Sequence, residues 1–443
     1  MPTTFPEYHG HWLTKGTFEF VRSPLEYASK NFETYGDTFY GVFPIGKALM
    51  TSNPGLIRYV LQGNQKNYRK DQAYDDLGML LGKGLVTSRG DFWRKQRRIA
   101  QPTFYKKSLD GLFSNMRELV ESYAIDLEGK RGQELDMSQE MMALTARVAM
   151  KTLFSEELEG DLLEIYDCIS VAQKYVSSRT FNPLSIPFSY INGSYHKFKR
   201  KKAILDKLLY NLIEKRKKSA EKESDFLQML MDARYEDTGE PMSEQQLLDE
   251  LLTIFSAGHE TSANGLAWMF YLLSQHPEIV AKIRAELKEI LGDRSAEVMD
   301  LKKLSYLTQV IEEGMRLHPP VWSVGREAIE EDEWEGHPIK KGTIIGVYFY
   351  HLHRHPDLWE NPNEFDPDRF SEAAKKARPN SHYIPFGAGP RMCIGNYFAM
   401  MEMQLILAEL LRKFDFHLVP GQKIEMEPMV TLRPKYGIKM EIR

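Results

Sequence analysis

The chain has 443 residues, of which 42% are hydrophobic and 27% are charged. This mix is typical of a globular protein with a sizeable core, and the length permits one large domain or two or three ordinary ones. The formal net charge of -4 provides no overall positive field, which argues against a nucleic-acid-binding protein. The N-terminal stretch MPTTFPEYHGHWLTKGTFEF has no basic start followed by an apolar run, so the sequence predicts no signal peptide.

Strand-like runs lie towards the two ends of the chain, and helical periodicity dominates from about Pro54 to Lys413. The strand-like runs are residues 37–51, 337–351, 416–426 and 436–443. We find no internal repeat, no low-complexity linker and no convincing domain boundary. The sequence therefore predicts a single domain over residues 1–443, mainly α, with a small β region built from both ends of the chain.

The two cysteines, Cys168 and Cys393, lie in different contexts, and nothing indicates a disulfide framework. Cys168 falls in the helical apolar pattern LLEIYDCISVAQKY, which predicts a buried core thiol. This cysteine usage favours a reducing compartment, and the cytoplasm fits best.

Basic residues are concentrated at two places in this weakly acidic chain. Residues 196–224 form a strongly basic but amphipathic run, for which a solvated helix face is one interpretation and membrane-surface or partner binding the other. The other cluster consists of Arg94, Lys95, Arg98, Lys106 and Lys107. This basic cluster is either ordinary surface or a docking site for an acidic protein.

A long helix is predicted between Ser243 and His276. Ser243 and Gln246 have the spacing of a capping box, and His276-Pro277 ends the pattern. The segment is about three times the usual helix length, and polar residues in its middle exclude a membrane span. These residues are Gly258, His259, Glu260, Thr261 and Asn264. Because an interior glycine and a buried glutamate both cost stability, the interruption indicates a functional site, with a tolerated kink as the alternative.

The sequence FGAGPRMCIG, residues 386–395, places Cys393 in a glycine-rich loop for which three interpretations compete. A dinucleotide-binding turn needs a glycine where Met392 stands, and Pro390 removes a backbone donor. A zinc site needs further ligands at suitable spacing, which Cys393 lacks. A purely structural thiol leaves the glycines and Arg391 unexplained. A thiolate metal ligand explains them, because glycines let the backbone pass beneath a flat cofactor and backbone amides stabilise the negative sulfur.

The pattern F-x-x-G-x-R-x-C-x-G in this loop resembles the haem-binding signature of the cytochrome P450 family. Other segments resemble that family in the same order, namely DFWRKQRR, AGHET at residues 257–261, EEGMR and FDPDRF. The resemblance extends from about Pro24 to the C-terminus. It implies the cytochrome P450 fold, with a long central helix over a haem.

The resemblance assigns Cys393 as the thiolate ligand of the iron of haem b, iron protoporphyrin IX, where a thiolate favours O–O cleavage. The residues that it places around the haem are Phe386, Gly387, Arg391, Gly395, Trp93, Arg97, Arg326 and Ala257. Trp93 and Arg97 share one helix face and, with Arg391 and Arg326, are expected to bind the propionates. An aromatic core residue and a solvated arginine are the alternative interpretation of that pair.

Two further groups follow from the resemblance. Glu260 and Thr261 resemble the family's acid–alcohol pair, which relays protons to the distal oxygen. Glu313 and Arg316, spaced i and i+3, are expected to form a buried network with Arg369 that braces the cysteine loop.

Residues expected to line a substrate pocket lie on the long helix and after Arg316. They are Phe255, Ser262, Val321, Trp322 and Val324, with the loop YDDLGMLLGKGLV as a further wall. They are mostly apolar, which suits a hydrophobic or amphipathic substrate. The stretch GKGLVTSRGDFWRKQRRIAQPTF resembles the fatty-acid and alkane hydroxylating branches of the family.

The reaction implied is insertion of one oxygen atom of O2 into a C–H bond or double bond, with the other atom leaving as water. Because the sequence contains no flavin, ferredoxin or NAD motif, two electrons are expected from a ferredoxin or flavodoxin with its NAD(P)H-dependent reductase. Such a donor is expected to dock near the cysteine loop, at the basic cluster. The apparent lack of an N-terminal anchor suggests a soluble, bacterial-type protein. A peroxygenase driven by hydrogen peroxide is one alternative, and a non-catalytic haem sensor or carrier is another.

Overall fold

The computed structural model describes residues 4–8, 16–43, 46–157, 162–182, 185–220 and 222–443. Its α-helices are α1 (Thr17–Arg22), α2 (Pro24–Tyr35), α3 (Pro54–Arg58), α4 (Ala73–Leu81), α5 (Gly90–Ala100), α6 (Lys106–Asp110), α7 (Phe113–Glu128), α8 (Met137–Phe154), α9 (Leu162–Phe181), α10 (Ile186–Ile191), α11 (Ser194–Lys218), α12 (Phe226–Asp232), α13 (Glu244–Gln275), α14 (Pro277–Leu291), α15 (Ser305–Leu317), α16 (Phe349–Leu352), α17 (Glu372–Ala377) and α18 (Asn396–Lys413). Its strands are β1 (Thr38–Phe43), β2 (Gly46–Thr51), β3 (Tyr68–Arg69), β4 (Glu134–Asp136), β5 (Val324–Ala328), β6 (Asp332–Trp334), β7 (His337–Ile339), β8 (Ile344–Val347), β9 (Phe416–Leu418), β10 (Met426–Pro428), β11 (Leu432–Pro434) and β12 (Lys439–Ile442).

Strands from both ends of the chain meet in a five-stranded sheet of order β1-β2-β8-β5-β3. The β1–β2 hairpin is antiparallel, whereas β2 pairs in parallel with β8, placing Leu49 opposite Ile345. Both of these side chains are buried. The prediction of a β region built from both ends is therefore confirmed. Strand β12 pairs with β9 and also with β4, a strand of three residues that the sequence analysis missed because it is too short to show alternation.

Helix α13 runs through the main core and packs against α8, α15 and α18. Its bounds confirm the predicted long helix, and Ser243 Oγ accepts from the Gln246 amide at 3.2 Å. The reciprocal half of the predicted capping box is absent, because the Gln246 side chain donates instead to the Lys83 carbonyl and to Glu250. The hydrogen bond to Lys83 connects the start of α13 to the loop after α4.

Two predictions made outside the site are also confirmed. Cys168 is fully buried in the core. The basic run forms amphipathic α11, whose apolar face, including Leu205 and Leu209, is buried. One of its basic residues, Arg216, is buried too, because it binds the Asp225 carboxylate through two hydrogen bonds of 2.8 and 2.7 Å. Among the residues that the structure describes, none of the helices is both long and apolar enough to cross a bilayer.

Candidate active site

The cysteine loop extends from Phe386 to Gly395 and leads directly into α18. The Cys393 amide donates to the Phe386 carbonyl at 2.9 Å, which closes the loop on itself. The Cys393 side chain is a free thiol and is accessible, in contrast to the buried Cys168. Surrounding protein nevertheless desolvates the sulfur and raises the thiol pKa, while the Gly395 amide and Arg97 act in the opposite direction. Accessibility combined with desolvation indicates that the sulfur faces an internal cleft.

Two glycines determine the shape of this loop. Gly387 and Gly389 have φ values of +72° and +70°, a region that side-chain-bearing residues rarely adopt. At Gly389 a Cβ atom would lie 2.0 Å from the Leu61 carbonyl oxygen, so the loop rests directly on the segment after α3. At Gly387 no atom lies within 4 Å of the corresponding position. The backbone at Gly387 is therefore open to a flat group.

Basic side chains converge beside the loop. The Arg391 guanidinium lies 3.7 Å above the centroid of the Trp93 ring. Arg97 shares the helix of Trp93 and donates to the Met392 carbonyl at 3.0 Å. Burial, together with the neighbouring Arg326 charge, lowers the pKa of Arg391 to about 9. Burial is the larger cause of this lowered pKa, and the charges of Arg326, Arg97 and Arg89 add to it.

Lys70 belongs to this group of cations, although the sequence analysis missed it. Its ammonium is buried and donates to the Val86 carbonyl. Burial, then the charges of Arg391 and Arg326, lower the pKa of Lys70 well below its ordinary value. Asp71 is the neighbouring carboxyl group, and burial raises its pKa to about 6. Crowded buried cations are unfavourable unless counter-charge lies nearby, so this group of residues is suited to bind an anionic group.

A single turn of α13 is open, although the helix is otherwise buried along most of its length. Ala257, Gly258 and Thr261 keep accessible surface between buried neighbours, and their spacing places them on one face. No atom lies within 4 Å of the position that a Gly258 side chain would occupy. The Thr261 hydroxyl donates to the Ala257 carbonyl at 2.8 Å. The predicted site in the middle of this helix thus coincides with an accessible turn.

The carboxyl group of Glu260 is not hydrogen-bonded to the Thr261 hydroxyl. Glu260 is buried and accepts hydrogen bonds from the Gln173 amide and the Thr431 hydroxyl. Burial raises its pKa. The acid and the alcohol, adjacent in sequence, therefore make separate contacts, and Gln173 and Thr431 join the site as residues that no local pattern marked.

The predicted network of Glu313, Arg316 and Arg369 is present. Arg316 donates from Nε and Nη2 to the two Glu313 oxygens at 2.6 and 2.8 Å, and both side chains are fully buried. The Arg369 Nε atom lies 3.5 Å from Glu313 Oε1. The Arg316 guanidinium also donates to three backbone carbonyls, those of His353, Pro362 and Glu364.

This network reaches the cysteine loop through backbone hydrogen bonds. The Asp366 amide donates to Glu313 Oε1 at 2.9 Å. Burial and nearby arginines lower the pKa of His353 well below its ordinary value, so its ring is neutral and Nε2 accepts from the Ile384 amide at 3.1 Å. The Ile384 carbonyl in turn accepts from the Gly387 amide at 2.9 Å. The segment between Asp366 and Ile384, which leads into the cysteine loop, is therefore held near both of its ends by these hydrogen bonds.

The residues predicted to line a substrate pocket fall into two groups. Val321 and Val324 keep accessible surface. Phe255, Ser262 and Trp322 are buried, so their prediction as pocket walls was wrong. Trp322 donates from its indole to the Met429 carbonyl at 2.9 Å within a core cluster. Apolar character predicts burial as readily as a pocket wall, and here burial is what the structure shows.

Three residues of the basic cluster form ion pairs within the chain. The ion pairs are Arg94–Asp91, Lys95–Asp237 and Arg98–Glu236. Lys106 instead neighbours Lys302, which lowers the pKa of Lys106.

The family model of Cytochrome P450 matches residues 5–442. This chain belongs to the cytochrome P450 family. It is 33% identical to cyclooctat-9-en-7-ol 5-monooxygenase of Streptomyces melanosporofaciens, over 91% of this chain and 88% of that protein. It is 32% identical to putative cytochrome P450 132 of Mycobacterium tuberculosis, over 87% and 86% of the two chains. Protein LUTEIN DEFICIENT 5 of Arabidopsis thaliana is 30% identical, over 97% and 76%.

The fold agrees with a solved P450 structure. The cytochrome P450DA heme domain superposes with a TM-score of 0.90 at 23% identity, covering 100% of this chain and 98% of that one. Family membership and the monooxygenase and hydroxylase names of relatives make this P450 an oxidoreductase of the monooxygenase class. It uses haem, O2 and a redox partner. The free thiol, the open backbone at Gly387 and the crowded cations fit that cofactor.

Proposed function

We propose that this P450 oxidises a hydrophobic or amphipathic organic substrate with electrons from a ferredoxin or flavodoxin and its NAD(P)H-dependent reductase. The proposed cofactor is haem b, which when bound through a cysteine thiolate supplies the reductive activation of O2. The observation that carries the proposal is the accessible, desolvated Cys393 thiol in a loop whose backbone is open at Gly387.

The chain's own residues divide the work of holding the cofactor. Cys393 would bind the iron as a thiolate, and the Gly395 amide would stabilise its negative charge, since that amide already opposes the rise in thiol pKa that burial causes. The cations Lys70, Arg97, Arg326 and Arg391 would bind the propionates. Their mutual repulsion decreases when those carboxylates arrive, so cofactor binding and local stability are coupled. Phe386, Ala257 and Trp93 are proposed to complete the haem contacts.

Protons would reach the open turn of α13 through Thr261. Its hydroxyl lies on the accessible face and can donate to a group bound there once it leaves the Ala257 carbonyl. Glu260 is proposed as the proton source behind it. Because the Glu260 carboxyl group contacts Gln173 and Thr431, its proton would have to pass through water or a side-chain rotation to reach Thr261.

The proposed substrate class rests on apolar residues and on relatives. Val321, just before β5, and Val324, its first residue, offer accessible apolar surface. The Streptomyces relative is named for oxidation of a cyclic alkenol, which is mainly hydrocarbon. Fatty acids, terpenoids, steroids and aromatic compounds are therefore the classes to screen, by the spectral shift that a ligand causes in the ferric protein.

The proposal is tested by the carbon-monoxide difference spectrum of the reduced protein. We expect a thiolate-type spectrum from the wild type and from Cys168→Ala, and its loss in Cys393→Ala. A normal thiolate spectrum from Cys393→Ala would overturn the ligand assignment. Product formed with NAD(P)H and the donor, compared with product formed with hydrogen peroxide alone, separates the proposal from a peroxygenase. The single haem domain over residues 1–443 remains a prediction. The cytoplasmic location remains a prediction as well.

A further inference from the structure

An acidic hairpin covers part of the outer face of α5. It consists of residues 234–241, between α12 and α13. Its Asp237 carboxylate binds Lys95, and its Glu236 carboxylate binds Arg98. Two of the positive charges expected to attract an acidic protein are thus occupied by carboxylates from a distant part of the same chain.

The hairpin is held in place by more than charge. The Tyr235 amide donates to the Glu240 carbonyl at 3.0 Å, and the Gly239 amide donates to the Tyr235 carbonyl at 2.8 Å. Gly239 has a φ of +71°, which suits glycine at a tight turn. The side chain of Gln96, buried on α5, donates to the Tyr235 hydroxyl at 2.8 Å. The turn is therefore formed and seated on α5, with its carboxylates presented to the basic residues.

The same helix borders the thiolate side of the cofactor site. Trp93 stacks under Arg391, and Arg97 donates to the carbonyl of Met392, the residue before Cys393. A protein that binds the outer face of α5 therefore lies next to the cysteine loop. Electron transfer favours such a position because it shortens the path to the iron.

The two ion pairs are of a kind that exchanges easily. The side chains of Lys95 and Asp237 are 45% and 51% exposed, and those of Arg98 and Glu236 are 67% and 70% exposed. Exposed pairs contribute little stability, and salt screens them. Carboxylates of another protein can therefore replace those of the hairpin at small cost.

We propose that the 234–241 hairpin is an internal competitor of an acidic electron donor for Lys95 and Arg98. The donor has to displace Glu236 and Asp237 before it can use those cations, so the hairpin slows docking and limits it to donors with enough negative charge. This inference rests on the proposed delivery of electrons by an acidic protein, and it adds a regulatory contact to that proposal.

The test compares Glu236→Gln and Asp237→Asn with the matched control Glu240→Gln. Glu240 lies in the same turn, and its substitution removes the same charge. Among the described residues, however, the Glu240 carboxylate forms no ion pair with α5. The measurements are the second-order rate of haem reduction by an acidic [2Fe–2S] ferredoxin, with carbon monoxide present, and the ferredoxin dissociation constant by calorimetry. At about 0.02 M ionic strength, we expect each hairpin variant to raise the rate and tighten binding by about two- to fivefold, with the effect lost at about 0.5 M.

The control is expected to stay within about 1.5-fold of the wild type, because its effect is limited to the long-range field. Equal acceleration by Glu240→Gln would show a general field effect and overturn the competition. Slower reduction in the hairpin variants would make the hairpin part of the donor site, which also overturns it. If wild type and variants give a normal carbon-monoxide spectrum but neither bind nor accept electrons from the ferredoxin, the donor class is wrong and the inference falls with it.

Discussion

Replacing Glu313 by alanine is expected to prevent recovery of stable, haem-loaded protein. The substitution leaves the Arg316 guanidinium fully buried, with three carbonyl partners but without its bidentate carboxylate. Removing one partner of a buried ion pair costs about 3–5 kcal/mol. Domains of ordinary stability have about 5–15 kcal/mol in total, so this loss removes much of it. The Asp366 amide loses its acceptor as well, which loosens the segment before the cysteine loop.

The assay measures haem per protein chain from the carbon-monoxide spectrum and the free energy of unfolding in urea. Glu312→Ala is the matched control, because it removes the same charge from the preceding position of α15. The Glu312 side chain is 19% exposed and binds the partly exposed Lys375 at 2.6 Å, so its loss should cost less than the loss of Glu313, whose side chain and partner Arg316 are fully buried. Full haem loading and wild-type stability of Glu313→Ala, combined with slow turnover, would refute the structural role and make Glu313 a catalytic residue.

Three further outcomes are expected. Thr261→Ala should keep haem and substrate binding, because the hydroxyl positions a proton and does not hold the cofactor. It should form less product per electron consumed, with the remaining electrons released as peroxide or excess water. An unchanged ratio of product to electrons would count against Thr261 as a proton relay. Lys70→Met should lose haem about tenfold to a hundredfold faster in a transfer assay to apomyoglobin, the equivalent of one charged hydrogen bond of about 1.5–3 kcal/mol. With iron protoporphyrin dimethyl ester, which lacks the propionate charges, wild type and variant should be equal, and a persisting difference would contradict propionate binding. Glu402→Gln should stabilise the protein increasingly as pH rises, because burial raises the pKa of Glu402 to about 8 from an ordinary 4.5. Between these pH values the folded state keeps a proton that the unfolded state has lost, so the wild-type free energy of unfolding falls by up to about 1.4 kcal/mol per pH unit. If urea unfolding gives the same difference in stability between wild type and variant at every pH from 5 to 7, the assignment is refuted.

Local signals explain most of what the sequence predicted correctly. The start of α13 at Ser243, the loop around Cys393 and the i, i+3 pair of Glu313 and Arg316 each depend on residues close together in the chain. Caps, left-handed glycines and helical spacing act over one or two turns, so a pattern reveals them directly. Arg369 is more distant, and only the resemblance to a family placed it with that pair.

The features that the sequence analysis missed or misjudged depend on distant partners. Lys70 carries no pattern, and its role depends on Arg391 and Arg326, which come close only in the folded chain. Trp322 looked like a pocket wall because it is large and apolar, whereas its indole donor is satisfied by a carbonyl in the core. The ion pairs of Lys95 and Arg98 could not be recognised in the sequence, because Asp237 and Glu236 follow far along the chain. Net charge and residue spacing do not reveal contacts between residues that are far apart in the sequence.

The buried network of α15 has a physical explanation beyond the attraction of two charges. A buried ion pair is by itself weak evidence for stability, because desolvation offsets most of the attraction. Between α16 and the cysteine loop, however, the chain has little regular structure, and its buried carbonyls need donors. One guanidinium supplies five N–H groups, and Arg316 uses them on the Glu313 carboxylate and on three carbonyls of that stretch. An apolar pair of the same volume would pack there but would leave these carbonyls unsatisfied, each at a cost of about 1–3 kcal/mol. The charged pair is therefore needed because it satisfies irregular backbone, and that backbone positions the loop of Cys393.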